Sequence, residues 1–229
     1  MTDFKNWLKL EKNELKSDFY HYPKRRILIL LFGAFLLFWA LFKLWAKTSS
    51  QTVIYWDNLI VNLMDQNRNP FLDRFFVGVT NFGSIYFIIF AFLVLTIFLI
   101  RRRARKATVA VFLTLIGSGA LIFIFKDFFS RERPFGCPFE RDCFSFPSGH
   151  AAIAFYFYGM LFDLTTRFIK MRKRYAFILG ASLVILVSLI ALSRVYLGYH
   201  FLTDVMGGFL LGGALLLIVA IMVDFLYQK

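Results

Sequence analysis

Three histidines and two cysteines are few for a chain of 229 residues, and they limit the chemistry that it can perform. His150 and His200 lie far apart in the sequence, and neither they nor the scattered carboxylates have the spacing of metal ligands. Cys137 and Cys143 have no neighbouring group that would activate a thiolate. The sequence therefore predicts neither a metal site nor a cysteine nucleophile, and no cofactor is expected.

Low-complexity tracts, repeats of fixed period and interdomain linkers are also missing, so one domain is expected. A cleaved signal peptide is not expected, because mostly polar residues precede the first apolar run. We predict a cytoplasmic N-terminal segment over residues 1–26 and one membrane domain over residues 27–229. Within the segment, the apolar residues of 3–20 favour an amphipathic helix on the inner leaflet, with a frayed tail as the alternative.

Acidic residues are scarce, since 14 stand against 27 basic ones and the net charge is +13. Such an excess can indicate nucleic-acid binding. Here, however, the basic residues form short clusters beside apolar runs, as membrane topology requires. We therefore expect no nucleic-acid partner.

Hydrophobic residues make up 59% of the chain, and six runs reach membrane-spanning length. The runs cover Ile27–Leu44, Phe75–Ile100, Ala107–Phe125, Ser148–Thr166, Tyr175–Leu192 and Phe201–Leu226. They predict an all-α fold, a polytopic bundle of six transmembrane helices in a lipid bilayer.

The basic residues also predict the orientation of this bundle. With the N-terminus inside, the inner segments hold 18 of the 27 basic residues, whereas the outer segments 45–75, 126–149 and 193–204 have no net charge. The positive-inside rule then puts both termini in the cytoplasm. We expect a protein of the cytoplasmic (inner) membrane whose outer segments face the periplasm or the exterior.

Three short clusters of ionisable residues lie at the ends of apolar runs, and this topology brings them all to the outer face. They are Lys126-x6-Arg133-Pro134, Pro147-Ser148-Gly149-His150 and Ser193-Arg194-x5-His200-x3-Asp204. An ionisable group in a membrane protein is costly and is presumed functional.

The first and second clusters carry groups that bind phosphate. Lys126 and Arg133 are cations that would share one helix face if their helix continued to Pro134. Ser148 and Gly149 stand where a helix begins, after Pro147 in the preceding turn, so their backbone amides would face an anion. Arg194 of the third cluster adds another cation.

The histidines suit attack on phosphorus. His200 and Asp204 are four residues apart on one predicted helix face, where the carboxylate would orient the imidazole. His150 suits a general acid that protonates the departing lipid oxygen and then activates water. Ser193 is interpreted as supporting the local backbone. Arg131 is expected to pair with Glu132 on the surface or to contact the substrate head group.

At these residues the chain resembles the type 2 phosphatidic acid phosphatase superfamily, the integral-membrane lipid phosphate phosphatases. All positions of the three family motifs match between residues 126 and 204. The resemblance implies a metal-independent phosphohistidine mechanism, with His200 as nucleophile, Asp204 as its orienter and His150 as the acid. It implies phosphate contacts from Lys126, Arg133, Ser148, Gly149 and Arg194.

The substrate stays open at this point. Undecaprenyl diphosphate, phosphatidylglycerophosphate, phosphatidic acid and lipid A phosphate all present a phosphate at the outer leaflet. A lipid phosphotransferase with the same intermediate and a non-catalytic lipid-phosphate binder or transporter are the alternatives. The histidines favour an enzyme, because binding alone needs cations but no nucleophile. The oligomeric state is open too.

Two further patterns concern packing. Cys137 and Cys143 both lie in an outer segment, where an oxidising exterior favours a disulfide over two thiols. Glycines 207, 208, 212 and 213 favour close helix packing within the bundle, with a dimer face as the alternative.

Overall fold

The computed structural model describes residues 24–136 and 143–227. Their regular structure is helical, apart from one isolated antiparallel bridge between Glu132 and Phe144. The helices are α1 (Lys24–Lys47), α2 (Gln51–Gln66), α3 (Pro70–Thr80), α4 (Ile85–Arg101), α5 (Arg105–Phe129), α6 (Gly149–Phe168), α7 (Lys173–Tyr196) and α8 (Leu202–Tyr227), with a 3-10 turn over Asn81–Gly83. The all-α class is confirmed. The amphipathic helix predicted within 3–20 lies outside the described residues.

Four helices of the described ranges are long and apolar enough to cross a membrane. They are Ile29–Lys47, Arg105–Phe129, Lys173–Tyr196 and Leu202–Leu226. Helices α3 and α4 supply a fifth if they count as one span, although the chain bends by 46° between them. The remaining predicted run forms α6, which packs against α7 and α8. Four to five candidate spans are therefore present, and a six-span bundle stays a prediction.

The bend between α3 and α4 interrupts the run that the sequence predicted as continuous over Phe75–Ile100. Asn81–Gly83 forms the 3-10 turn, and Ser84 then caps α4 by accepting a hydrogen bond from the N–H of Phe87 at 3.3 Å. Asparagine, glycine and serine favour turns and caps over helix interiors, which explains the break.

Helix α2 was not predicted, and it lies within the outer segment 45–75. Ser50 caps its start by accepting from a backbone N–H of the first turn. One face of α2 carries the buried Asp57, while Tyr55 and Trp56 are exposed. This two-faced composition is typical of a surface helix, and it escapes a search for long apolar runs.

Helix α5 does not continue to Pro134, which was the condition for Lys126 and Arg133 to share one helix face. The helix ends at Phe129, because Ser130 adopts a left-handed conformation (φ 47°) and donates its N–H to the carbonyl of Lys126. Lys126 therefore lies in the last turn of α5, whereas Arg133 lies beyond the helix. The two cations therefore do not share a helix face.

Helices α6 and α8 approach each other closely at two glycines. A Cβ atom at Gly208 would lie 2.6 Å from the carbonyl oxygen of Ser148, and one at Gly212 would lie 2.5 Å from that of Ala152. Backbone atoms cannot move aside as a side-chain tip can. Close packing within the bundle is confirmed for these two glycines.

Replacing Gly208 with alanine should therefore destabilise the fold by about 1–3 kcal/mol, as overpacking does. The matched control is Gly119→Ala in α5, where nothing lies within 4 Å of an added Cβ atom. This control should leave stability unchanged or raise it, because alanine is the better helix former. Thermal unfolding of both variants in the same detergent makes the comparison, and equal midpoints would contradict the described packing.

A buried ion pair joins the other end of α6 to α8. The Nε atom of Arg167 lies 2.7 Å from Oδ2 of Asp163, and its Nη1 atom lies 2.6 Å from Oδ1 of Asp224. Asp163, near the end of the predicted run Ser148–Thr166, therefore pairs with an arginine just beyond that run.

Candidate active site

The three motif clusters meet at one end of the bundle. Arg133 donates through Nη1 to the carbonyl oxygen of Tyr199 at 2.9 Å. The backbone N–H of Ser148 donates to the carbonyl oxygen of Asp204 at 2.9 Å. These two bonds join the first and second clusters to the third, as expected from topology.

His200 and Asp204 form a buried pair, although they do not share a helix face. His200 precedes the first residue of α8, and its Nδ1 atom lies 3.6 Å from Oδ2 of Asp204. Asp204 reaches back over the start of α8 and accepts from the N–H of Phe201 at 2.8 Å, as an acidic residue in a capping box does. The carboxylate thus faces Nδ1, which directs Nε2, the nitrogen that can attack, away from it.

Arg131 is only 14% exposed and pairs with Asp204, so the predicted surface pair with Glu132 was wrong. Its Nη1 atom donates to Oδ1 of Asp204 at 2.6 Å, and its Nη2 atom donates to Oδ2 of Asp57 at 2.8 Å. Nη1 also donates to the hydroxyl of Thr203 at 2.7 Å. The guanidinium is therefore occupied by protein groups rather than exposed to a head group.

Two arginines converge on Tyr199. Arg133 and Arg194 are each only 7% exposed. The carbonyl of Tyr199 accepts from Arg133, and its ring lies 4.5 Å from the guanidinium carbon of Arg194. Arg194 also donates to the hydroxyl of Thr80 at 2.9 Å, next to the bend between α3 and α4. In the described part of the chain, no three His, Cys, Asp or Glu side chains are grouped as metal ligands would be.

The start of α6 lies beside the His200–Asp204 pair. The amide of Ser148 is bonded to Asp204, so the expectation that this amide faces an anion was wrong. Its hydroxyl is buried and has no hydrogen-bond partner among the described residues. Gly149 is the first residue of α6, where an amide has no partner within the helix. His150 follows, and its ring packs near Gly83 of the bend.

The supporting residues keep local roles. Pro134 follows Arg133 in a turn, and Pro147 follows a cis peptide bond before α6. Ser193 donates through its hydroxyl to a carbonyl of its own helix at 2.5 Å, which agrees with its interpretation as a support of the local backbone.

Cys143 is disulfide-bonded. Cys137 lies outside the described residues, so the pairing of these two cysteines stays a prediction.

Residues 107–228 match the model of the PAP2 superfamily. This range covers more than half of the chain and contains all three motif clusters. The chain belongs to the PAP2 superfamily. A curated PAP2 relative is phosphatidylglycerophosphatase B of Bacillus subtilis (strain 168), which is 30% identical over 149 residues, or 63% of this chain and 72% of the relative.

Two solved structures resemble the fold. One is the transmembrane PAP2-type phosphatidylglycerolphosphate phosphatase from Bacillus subtilis, with a TM-score of 0.76 and 26% identity over 82% of this chain and 94% of that one. The other is Aquifex aeolicus LpxE, with a TM-score of 0.52 and 29% identity over 71% of this chain and 91% of that one. With the apolar helices, these likenesses show a multi-pass membrane protein. The prediction of a phosphatase acting on lipid substrates is confirmed.

Several residues of this PAP2 site were missed by sequence reasoning. Asp57 lies on the unpredicted helix α2, and Thr80 lies at the unpredicted bend. Tyr199 could have been found from the sequence, because it directly precedes His200. Arg131 was singled out from the sequence, but its pairing with Asp57 and Asp204 was not predicted, because they belong to distant segments.

Proposed function

We propose that this PAP2 protein hydrolyses a lipid phosphate or diphosphate through a phosphohistidine, without a metal or cofactor, at the outer surface of the cytoplasmic membrane. One observation carries the proposal. A buried His200–Asp204 pair lies beside two buried arginines that converge on Tyr199. A protein that only bound lipid phosphates would need the arginines but not the oriented histidine.

In the first step, Nε2 of His200 attacks the phosphorus and forms a P–N bond while the P–O bond to the lipid breaks. His150 donates a proton to the departing oxygen. Asp204 stabilises the positive charge that develops on the ring of His200. The lipid leaves as an alcohol, or as a lipid monophosphate when the substrate is a diphosphate.

Catalysis of phosphoryl transfer is mainly positioning and electrostatic stabilisation of the equatorial oxygens. Lys126, Arg133 and Arg194 supply the cations in this proposal. The buried hydroxyl of Ser148 and the amide of Gly149 supply neutral donors.

In the second step, water hydrolyses the phosphohistidine. His150, now neutral, takes a proton from the water, and the water oxygen attacks the phosphorus. The P–N bond breaks, inorganic phosphate forms and His200 regains its neutral state. His150 has regained its proton for the next cycle.

Phosphatidylglycerophosphate is the substrate that we propose first, because the names of two relatives specify it. Undecaprenyl diphosphate, phosphatidic acid and lipid A phosphate present the same reacting group. The six apolar runs support six spans in residues 27–229, and the distribution of basic residues supports both termini in the cytoplasm and a site on the outer face.

Phosphate release by the purified protein in detergent tests this proposal. With excess EDTA and these four lipids, we expect release at an unchanged rate, strongest for phosphatidylglycerophosphate, since no step passes through a metal. Release that stops with EDTA and returns with a divalent cation would contradict the mechanism. Release only when an acceptor lipid is added would indicate a phosphotransferase.

A further inference from the structure

One cation lies between two buried carboxylates from distant parts of the chain. Arg131 contacts Asp204 at 2.6 Å and Asp57 at 2.8 Å, and the three side chains are 14%, 0% and 3% exposed. Buried charges are tolerated when they are paired and hydrogen-bonded, and both conditions are met here.

Thr203 completes the contacts around this guanidinium. Its hydroxyl accepts from Arg131 and donates to Asp57, and its backbone N–H donates to Oδ1 of Asp57 at 3.2 Å. The ring of Phe201 lies 4.3 Å from the guanidinium carbon. Arg131 is therefore held in one orientation, and it holds Oδ1 of Asp204 so that Oδ2 faces His200.

The charges of these side chains add a second effect. Arg131 and Asp204 alone would form a neutral pair. Asp57 brings a second negative charge, so the three side chains together carry one net negative charge. The imidazole of His200 gains positive charge as it attacks phosphorus. A net negative charge that is already in place beside it stabilises the transition state, because no group has to reorient during the reaction.

We propose that Arg131 and Asp57 are positioning residues for the nucleophile, with Arg131 fixing the orientation of Asp204 and Asp57 offsetting the charge of Arg131. The inference rests on the proposed function, in which His200 attacks the phosphorus. Neither residue touches the substrate, and both act through Asp204.

The test compares Arg131→Lys and Asp57→Asn with matched controls at the other end of α6. Arg167 is likewise an arginine between two carboxylates, and its side chain is 8% exposed, at 2.7 Å from Asp163 and 2.6 Å from Asp224. Asp163 is 31% exposed and Asp224 only 1%, so Asp224 is the counterpart of the buried Asp57. Arg167→Lys and Asp224→Asn therefore reproduce the structural damage at a distance of about 26 Å along the helix. The substrate is phosphatidylglycerophosphate labelled in its terminal phosphate.

Two quantities separate positioning from structural damage. The first is the single-turnover rate of phosphohistidine formation, and the second is the inhibition constant of inorganic phosphate. We expect Arg131→Lys to lower the rate on the order of 100-fold, because lysine lacks the planar fork that holds Oδ1. Asp57→Asn should lower it about 10-fold. Neither variant should change the phosphate inhibition constant, and the controls should lower only the unfolding midpoint.

The inference is overturned if both variants keep the rate of their controls, or if phosphate affinity falls in parallel with the rate. If Arg131→Lys does not fold, Asp57→Asn decides alone, since it preserves the bond between Arg131 and Asp204. A wild-type protein that releases phosphate but never forms a phosphohistidine would overturn the proposed mechanism and this inference together. Wild-type phosphohistidine with unaffected variants would overturn this inference alone.

Discussion

Replacing His200 with alanine should abolish turnover, with a loss on the order of 10⁶-fold, as for removal of other nucleophiles. The proposed mechanism has no P–N bond without this imidazole. The variant should incorporate no labelled phosphate from the lipid into the protein. Substrate binding should persist, because Arg133 and Arg194 are held by contacts with Tyr199 and Thr80 that the variant keeps.

Two measurements decide this prediction. Phosphate release and covalent labelling report the chemistry, while co-sedimentation of the protein with substrate-containing vesicles reports binding. The control is His21→Ala, which changes the histidine outside the three motifs and should keep wild-type turnover. Unchanged turnover of His200→Ala together with lost binding would refute the assignment of His200 as nucleophile.

The membrane helices and the convergence of the three motifs could be predicted because both depend on local patterns. An apolar run of sufficient length predicts a span wherever it occurs, and the positive-inside rule then fixes which loops share a face. The bonds from Arg133 to Tyr199 and from Ser148 to Asp204 join the three clusters as that argument expects.

The environment of Asp204 could not be predicted in this way, because it is built from distant residues. Asp57 lies on a helix whose composition gives no membrane signal, and its contact with Arg131 spans 74 positions of sequence. Arg131 is followed by an acidic residue, so a local surface pair was the simplest interpretation. The guanidinium of Arg131 is largely removed from water, and a cation in such a place is stable only when it is paired. Asp57 and Asp204 supply the two carboxylates.

The end of α5 could not be predicted either, and the reason is local. The sequence shows no helix breaker between Lys126 and Arg133, yet Ser130 ends α5 by adopting a left-handed conformation. Serine seldom adopts the left-handed conformation, and Pro134 was the residue whose type favours the end of a helix. The end of α5 matters for the site, because it frees the following residues to carry Arg131 and Arg133 toward α8.

The second large effect is expected from His150→Ala, and it should depend on the leaving group. Loss of a general acid typically lowers the rate 10²- to 10⁴-fold, about what we expect for a lipid whose alkoxide must be protonated as it departs. A p-nitrophenyl phosphate leaves as a stable phenolate and needs no proton. Its first step should therefore be much less affected in the variant.

The same variant tests the second role of His150 through the time course with p-nitrophenyl phosphate. Because water activation would also be lost, we expect a burst of about one p-nitrophenolate per active site, followed by a slow steady rate while phosphohistidine accumulates. A useful comparison is Ser148→Ala, which removes the hydroxyl that we propose donates a hydrogen bond to the phosphate but removes no proton-transfer group. This variant should slow both substrates alike without a burst. Equal losses for both substrates in His150→Ala, with no burst, would mean that this histidine binds phosphate rather than transferring protons. The acid would then have to be sought elsewhere around the phosphate, and the leaving-group dependence of each candidate variant would identify it.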